Sequence, residues 1–128
     1  MSTAALQVRV DEPGYTRTVA DVAAESGVAA SAIRFYERHG LIQARRTTGN
    51  QRRFDEDAAC RVKVARVAQR IGMRLVEIKD LLDSLPPDAD LIEWQRVHRV
   101  LVEEGQRRIA ELNAALDDIT SGRKLCEL

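Results

Sequence analysis

The chain has 128 residues, of which 45% are hydrophobic, 31% are charged and only 4% are aromatic. This composition is typical of a folded, soluble domain with a mainly aliphatic core, and it excludes an intrinsically disordered chain. Because no apolar run reaches the roughly 20 residues that a membrane-spanning helix needs, we expect a cytoplasmic protein without a membrane partner.

The formal net charge of zero conceals an uneven distribution. Residues 1–84 contain 14 Lys/Arg and 11 Asp/Glu, a net charge of +3, whereas residues 85–128 contain 6 and 9, a net charge of −3. A basic N-terminal part and an acidic C-terminal part predict that the first faces a polyanion and the second faces protein.

The first ordered segment predicts a helix-turn-helix, after a flexible tail over residues 1–15. Thr18 followed by Asp21 is typical of a helix N-cap with an acid in the first turn, and Gly27 predicts the end of that helix. A second helix is predicted over roughly 30–39 and stops at Gly40. Two short helices joined by a turn that contains glycine form the helix-turn-helix pattern.

The next stretch, "LIQARRTTGNQRRF", predicts a β-hairpin. Two strands over 41–45 and 51–54 are joined by a turn, in which Gly49 and Asn50 permit the positive φ that tight turns need. Two further helices follow. The first carries apolar residues at 58, 62, 65 and 68, and the second, "RLVEIKDLLDSL", is stopped by Pro86-Pro87.

From residue 88 the pattern changes to an apolar seam with a mean step of about 3.5 residues, which is the period of a coiled coil. The seam residues are Leu91, Trp94, Val97, Leu101, Gly105, Ile109, Leu112, Leu116 and Ile119. A helix of this length would span roughly 45 Å. A domain of about 70 residues is too small to bury such a stripe, so we expect a partner helix, most simply from a second copy. The alternative is a helix that folds back over its own domain.

Positive charge is concentrated between residues 31 and 54, where six arginines stand against the single acid Glu37. A recognition helix in the major groove and a hairpin wing along the backbone would place these arginines on duplex DNA. Tyr36 would offer its hydroxyl to a phosphate while its ring packs. The alternative interpretation treats the arginines as solvated surface.

The stretch "TVADVAAESGVAASAIRFYERHGLIQARRTTGNQRRF" resembles the DNA-binding module of the mercury-resistance regulator (MerR) family. "AQRIGMRLVEIKDLLD" resembles the helix pair that follows in that family, and "GNQRRF" and "AQRIGM" are most similar to its redox-sensing SoxR branch. The resemblance covers about residues 16–121. It implies a mainly α fold: a winged helix-turn-helix DNA-binding domain with two further helices over 16–85, a long antiparallel coiled-coil dimerisation helix over 88–120, and a tail over 121–128.

The resemblance also implies a mechanism. A homodimer would bind a pseudo-palindrome in an over-long promoter spacer, then bend and untwist the DNA so that RNA polymerase can use the promoter. The DNA-binding residues that it implies are Thr18, Ser31, Arg34, Tyr36, Arg45, Arg46, Gly49, Asn50, Arg52 and Arg53. The seam residues would form the dimer interface.

The sensor site implied by the SoxR branch is missing from the matching positions. A [2Fe–2S] cluster needs four thiolates, but the positions expected for three of them hold Gly122, Leu125 and Glu127. The two cysteines, Cys60 and Cys126, are candidates only for thiol chemistry. We therefore predict no metal and no cofactor.

Three interpretations remain open. The favoured one is a homodimeric DNA-binding regulator whose signal is neither a metal nor a cluster. The chain would otherwise be a truncated SoxR-type sensor, or an interaction protein whose basic face binds acidic protein and whose DNA affinity is incidental. An enzyme is not expected, because no catalytic triad, phosphate-cradling glycine loop or paired carboxylates are found.

Overall fold

A computed structural model describes residues 14–127, so the tail predicted over residues 1–15 lies mostly outside the described residues. Two compact units are found, one ending at Ser84 and the other beginning at Leu85. The elements of the first are α1 (Val19–Ser26), α2 (Ala30–Arg38), β1 (Arg45–Arg46), β2 (Arg52–Arg53), α3 (Ala58–Arg70) and α4 (Leu75–Asp83). The second contains α5 (Leu91–Thr120) and a 3₁₀ turn, Leu125–Glu127. This architecture confirms the predicted mainly α fold, with a small antiparallel wing and a long C-terminal helix.

Helix α1 begins and ends as the sequence predicts, because both ends are set by local hydrogen bonds. At its start, the Asp21 N–H donates to Thr18 Oγ1 (3.1 Å) and the Thr18 N–H donates to Asp21 Oδ2 (2.9 Å), which forms a capping box. At its end, Gly27 takes the left-handed conformation with φ 76° and donates to the Ala23 carbonyl.

The wing is shorter than predicted, and the predicted strand bounds of 41–45 and 51–54 are wrong. Leu41 and Ile42 are both buried, at 3% and 2% exposure, so they belong to the core that follows α2. Adjacent residues of a strand point to opposite faces, and two consecutive buried side chains are therefore poorly suited to the start of a surface hairpin. Only β1 and β2 form a ladder, in which Arg45 pairs with Arg53 and Arg46 pairs with Arg52.

The turn of the wing has its positive φ at one residue, not two. Asn50 has φ 61°, whereas Gly49 does not adopt a positive φ. The Asn50 N–H donates to the Thr47 carbonyl, and the Thr47 N–H donates to the Gln51 carbonyl. Loop residues 48–50 thus end in a left-handed residue, a common form of the three-residue hairpin loop.

Helices α3 and α4 supply much of the core of the first unit. The apolar positions predicted in α3, namely Ala58, Val62, Ala65 and Ala68, are all buried. Ile78 and Leu82 of α4 are fully buried as well. Phe54 is fully buried at the end of the wing, where its backbone pairs with that of Arg17 in an antiparallel bridge. This bridge ties the segment before α1 to the base of the wing.

Helix α5 has 30 residues, which corresponds to roughly 45 Å. It begins at Leu91 because Asp90 and Glu93 form a capping box, three residues later than the predicted start at 88. Val97 and Leu101 are buried, and Trp94 and Gly105 are partly exposed. The remaining seam residues are more than half exposed: Leu91, Ile109, Leu112, Leu116 and Ile119. Among residues 14–127, no helix combines the length and the apolar character needed to cross a membrane.

Candidate nucleic-acid interface

The N-terminus of α1 presents backbone donors to the surface of the first unit. A helix leaves its first four N–H groups without intrahelical acceptors. Here the Asp21 N–H donates to the hydroxyl oxygen of Thr18, as part of the capping box. Within the described residues, the N–H groups of Val19 and Ala20 donate to no protein acceptor. Two donors at the positive end of a helix dipole favour an anion nearby.

The carboxylate of the capping box remains ionised over a wide pH range. The hydrogen bonds from Thr18 lower the pKa of Asp21 below its ordinary value, and the charges of Arg17 and Arg53 lower it further. Because the carboxylate bonds to the Thr18 N–H, its position is fixed at the first turn of the helix.

Helix α2 separates a buried face from an exposed one. Ile33 and Tyr36 point into the core, at 0% and 5% exposure. Ser31, Arg34 and Arg38 are exposed at i, i+3 and i+7, the spacing of one helical face. Within residues 14–127, Arg34 takes part in no ion pair and no hydrogen bond. This face therefore offers an exposed guanidinium beside a hydroxyl.

The wing places four arginines opposite one another in two adjacent pairs, Arg45 with Arg53 and Arg46 with Arg52. Like charges in directly opposed positions destabilise an antiparallel ladder. Part of this repulsion is offset by Glu37: Arg52 Nε lies 2.7 Å from Glu37 Oε1, an ion-pair distance, although its N–H is not directed for a hydrogen bond. The wing thus maintains a dense positive charge at some energetic expense.

Two wing arginines are oriented by bonds within the hairpin. Arg46 donates through Nη1 to the Asn50 carbonyl (3.1 Å), which spans the turn. Arg53 donates to the Arg52 carbonyl (2.8 Å) and to Gln51 Oε1 (2.9 Å). These bonds use neutral acceptors, so the charges of both guanidinium groups remain available to an anion.

The N-terminus of α1, the start of α2 and the wing surround one open cleft of about 430 Å³. Its lining residues are Thr18, Val19, Ala20, Ala30, Arg34, Arg46, Asn50, Gln51, Arg52 and Arg53. Six of the ten residues predicted to bind DNA are among them: Thr18, Arg34, Arg46, Asn50, Arg52 and Arg53. Sequence reasoning missed Val19 and Ala20, although their place directly after the N-cap was a usable signal. It also missed Ala30 and Gln51, whose uncharged side chains do not contribute to the cluster of positive charge.

The other four predicted residues lie outside the lining of the cleft. Ser31, Arg45 and Gly49 are exposed on α2 and the wing. Tyr36 is different: its hydroxyl donates to Gln69 Oε1 at 2.7 Å, and burial raises its pKa. That this hydroxyl contacts a phosphate therefore stays a prediction. Its proton is held within the protein, while its ring packs at 5.6 Å from that of Phe35.

The candidate thiols do not form a ligand cluster among the described residues. Cys60 lies on the exposed side of α3, and Cys126 lies in the 3₁₀ turn of the second unit. No group of three or more His, Cys, Asp or Glu side chains in residues 14–127 is placed to hold a metal ion. The positively charged cleft is therefore the candidate site that we consider in the first unit.

A capped helix, an exposed second helix and a basic wing around one cleft define a winged helix-turn-helix DNA-binding domain. Comparison with family models agrees: "MerR HTH family regulatory protein" matches residues 17–85, and "MerR, DNA binding" matches residues 60–121. The chain belongs to the MerR family, and it is a DNA-binding transcriptional regulator.

Among curated relatives, the HTH-type transcriptional activator SoxR homolog of Chromobacterium violaceum is 41% identical over 110 residues, which are 83% of this chain and 73% of that protein. The mercuric resistance operon regulatory protein of Shigella flexneri is 41% identical over 66 residues, 51% of this chain. The chain spans less than half the length of that regulator, 46%. The resemblance to the MerR family and its SoxR-like branch is confirmed by these matches.

Two solved structures share the fold. A MerR-family regulator from Listeria monocytogenes is 26% identical with a TM-score of 0.56, and the match covers 81% of this chain and 80% of that chain. HiNmlR, described as a MerR family regulator lacking the sensor domain and bound to promoter DNA, is also 26% identical, with a TM-score of 0.54. That match covers 81% of this chain and 84% of HiNmlR.

Proposed function

We propose that the protein acts in the cytoplasm as a homodimer on a pseudo-palindromic promoter site, and that it bends and untwists the DNA for RNA polymerase. The observation that carries the proposal is the cleft in which Arg34, Arg46, Arg52 and Arg53 meet the N-terminus of α1. A promoter-bound MerR-family neighbour without a sensor domain supports it.

The cleft provides two kinds of phosphate contact. The Val19 and Ala20 N–H groups supply fixed donors at a helix N-terminus, and the wing guanidinium groups supply mobile charge. Each phosphate that the protein neutralises releases counterions, so these contacts raise affinity without reading sequence. They would also fix the register of the domain on the duplex.

The exposed face of α2 provides the base-reading contacts. In the major groove, a bidentate Arg recognises O6 and N7 of guanine, and a Ser hydroxyl can form a hydrogen bond with more than one type of base. Arg34 and Ser31 occupy one exposed face of this helix and therefore suit these roles. The wing and α1 would hold the helix in the groove while Arg34 selects the base pair.

The second unit supports the homodimer. Ile109, Leu112, Leu116 and Ile119 repeat at steps of three and four along the end of α5, and each is 55–64% exposed. An apolar stripe of this kind is stable in water only when another surface covers it. An antiparallel copy of the same helix matches its period and length. The seam residues Leu91, Trp94, Val97, Leu101 and Gly105 complete the proposed interface.

The experiment is footprinting of the DNA upstream of the protein's own gene across a salt series. We expect a symmetric footprint, enhanced cleavage at its centre and a slope of log K against log salt of about −0.9 per contacted phosphate. An R46A/R53A variant tests the cleft, and an R99A/R123A variant, which removes two exposed charges of the second unit, is its control.

A second candidate remains, an interaction protein with incidental DNA affinity. The exposed apolar residues of α5 favour it, because they fit a foreign helix as well as a second copy. It predicts a hetero-oligomer and weak binding that is indifferent to sequence. A uniform, low-affinity footprint with no symmetric centre would contradict the regulator proposal and favour this one.

A further inference from the structure

Gln51 is an exposed, uncharged residue of the wing that lines the cleft beside its arginines. It directly precedes β2, and its backbone is hydrogen-bonded on both sides. The Gln51 N–H donates to Thr47 Oγ1 at 3.3 Å, and the Gln51 carbonyl accepts from the Thr47 N–H at 2.9 Å. The preceding carbonyl, that of Asn50, accepts from Arg46 at 3.1 Å. The hairpin therefore fixes the backbone from which the Gln51 side chain extends.

The side chain of Gln51 is held by a charged neighbour. Successive side chains of an extended segment alternate between two faces, so Gln51 and Arg53 point to the same face of the wing. Arg53 Nη2 donates to Gln51 Oε1 at 2.9 Å, and Arg53 Nη1 donates to the Arg52 carbonyl at 2.8 Å. The guanidinium is thus held at two points, and the Gln51 amide is held through its oxygen.

This contact determines which atoms of the amide can meet a ligand. A guanidinium group has only donors, so the Gln51 amide must turn its oxygen toward Arg53 and its NH₂ group away from it. Within residues 14–127, this NH₂ group donates to no protein acceptor. A hydrogen bond that the oxygen accepts from a cation also polarises the amide and strengthens its N–H groups as donors. Gln51 therefore presents two N–H donors at the surface of the cleft.

We propose that Gln51 is a DNA-binding residue, whose NH₂ group donates to a phosphate oxygen of the duplex. An ionised phosphate only accepts hydrogen bonds, so it matches the polarity that Arg53 imposes on the amide. Arg46, Arg52 and Arg53 line the same cleft and attract the phosphate backbone to it. The inference rests on the proposed function and adds a neutral contact to the charged ones.

The first test measures Gln51→Met on a labelled duplex that the wild-type protein selects from a random pool. Met keeps the length of the side chain and removes its donors and its acceptor. We expect affinity to fall roughly three- to tenfold for each half-site, the effect of losing one hydrogen bond. The slope of log K against log salt should not change, because no charge is removed. Gln95→Met makes the same change at an exposed residue of the second unit and should leave affinity unchanged.

The second test separates a direct contact from the positioning of Arg53. It uses duplexes in which one phosphate at a time is replaced by an uncharged methylphosphonate. At one phosphate of a half-site, the replacement should weaken binding of the wild type more than binding of Gln51→Met. The same difference should persist between Arg53→Ala and the Arg53→Ala/Gln51→Met double variant, because the amide can still donate to that phosphate. If Gln51 only oriented Arg53, the two proteins that lack Arg53 would respond identically to every replacement.

The outcomes distinguish the inference from the function on which it rests. If the wild-type chain selects no duplex, the proposed function fails, and this inference fails with it. If the wild-type chain binds and Gln51→Met binds equally tightly, only the inference is overturned. A loss of affinity that vanishes in the Arg53→Ala background would also overturn it, because Gln51 would then act only through Arg53. A loss that persists there but depends on no single phosphate would overturn it as well, since the amide would then contact a base.

Discussion

The wing and the long helix differ in how far their arginines are paired with acidic side chains. In the wing, four arginines face one another across a two-residue ladder, and Glu37 is the acid that approaches Arg52. In α5, Glu104 accepts hydrogen bonds from both Arg107 and Arg108, and Arg107 also bonds to Glu111. These hydrogen bonds lower the pKa of Glu104, and the bond from Arg107 has the largest effect. The helix thus pairs its charges along its own surface, whereas the wing accumulates them.

The two regions also differ in what they bury. The first unit encloses its large apolar side chains, such as Phe54, Ile33 and Ile78, almost completely. The end of α5 leaves its apolar stripe from Ile109 to Ile119 in water. The surface of the wing therefore concentrates positive charge, whereas the surface at the end of α5 exposes apolar side chains. A polyanion satisfies the first, and an apolar helix satisfies the second.

The largest effect is expected from placing a charge in the apolar stripe. Leu116→Asp removes a large apolar side chain from each copy of the proposed interface and adds a carboxylate that would have to be desolvated. Burying one Leu contributes about 1.5–3 kcal/mol, and a symmetric dimer loses two. We expect the dimer dissociation constant to rise at least roughly a hundredfold, as measured by sedimentation equilibrium.

Ala114→Asp is the matched control, because Ala114 is exposed on the opposite side of α5. It introduces the same carboxylate into the same turn and should leave the dimer intact. Equal dissociation constants for the two variants would show that the stripe does not form the interface.

The next largest effect is expected at Arg34, the proposed base-reading residue of α2. Arg34→Ala should reduce affinity for the selected duplex roughly ten- to a hundredfold and relax specificity at one base pair of each half-site. The reason is that a bidentate Arg contact to guanine cannot be replaced by Ala. Competition assays with duplexes substituted at single positions measure both quantities.

Arg99→Ala controls for the loss of one positive charge, since Arg99 is exposed on α5, far from the cleft in sequence. It should change affinity by less than about twofold. A uniform loss of affinity across all competitor duplexes in Arg34→Ala would instead make Arg34 a phosphate contact.

The features that the sequence predicted well depend on neighbours in the chain. The Thr18 cap and the Gly27 stop need only residues within four positions, and the buried face of α3 follows from helical spacing. The concentration of arginine between residues 31 and 54 is visible directly in the sequence. Together with the resemblance to the MerR family, these signals sufficed for the architecture and for six of the ten residues that line the cleft.

The features that the sequence predicted poorly depend on distant partners. Tyr36 bonds to Gln69, which is 33 residues away, and no spacing rule connects the two. Glu37 is next to Arg38 in sequence but pairs with Arg52 of the wing. The wing strands were predicted too long because Leu41 and Ile42 resemble a strand locally, whereas tertiary packing buries both.

A smaller effect is expected from releasing Arg52 of the wing from the acid beside it. Glu37→Gln removes the charge near Arg52 and should make DNA binding about two- to fivefold tighter at low salt, with a salt slope steeper by about 0.9. Because both side chains are partly exposed, at 36% and 23%, the stability of the fold should fall by less than about 1 kcal/mol. Isothermal titration over a salt series and urea unfolding measure the two changes.

Glu25→Gln is the control, since Glu25 pairs with Arg17 at 3.4 Å and lies outside the cleft. It removes the same charge from the same unit and should leave the salt slope unchanged. If Glu37→Gln weakens DNA binding, Glu37 orients Arg52 for the phosphate instead of competing with it.

The smallest effect is expected at the capping box, and it has a defined pH dependence. The folded-state pKa of Asp21 lies below its unfolded value of about 3.9, so the carboxylate stabilises the fold above that pH. This stabilisation is lost as the pH falls through the folded-state pKa. The melting temperature of Asp21→Asn should therefore be lower than that of the wild type at pH 7, and the difference should shrink toward pH 3.

Thr18→Ala tests whether the Thr18 hydroxyl contributes to the lowered pKa of Asp21. The hydrogen bonds from Thr18 are the main reason for the lowered pKa, and the Thr18 side chain is the part that can be removed by mutation. In a Thr18→Ala background, Asp21→Asn should show a smaller difference at pH 7, with the remainder due to the Thr18 N–H bond and the nearby arginines. An undiminished difference would exclude the Thr18 hydroxyl as a cause and would leave the bond from the Thr18 N–H and the charges of Arg17 and Arg53 as the origin of the lowered pKa.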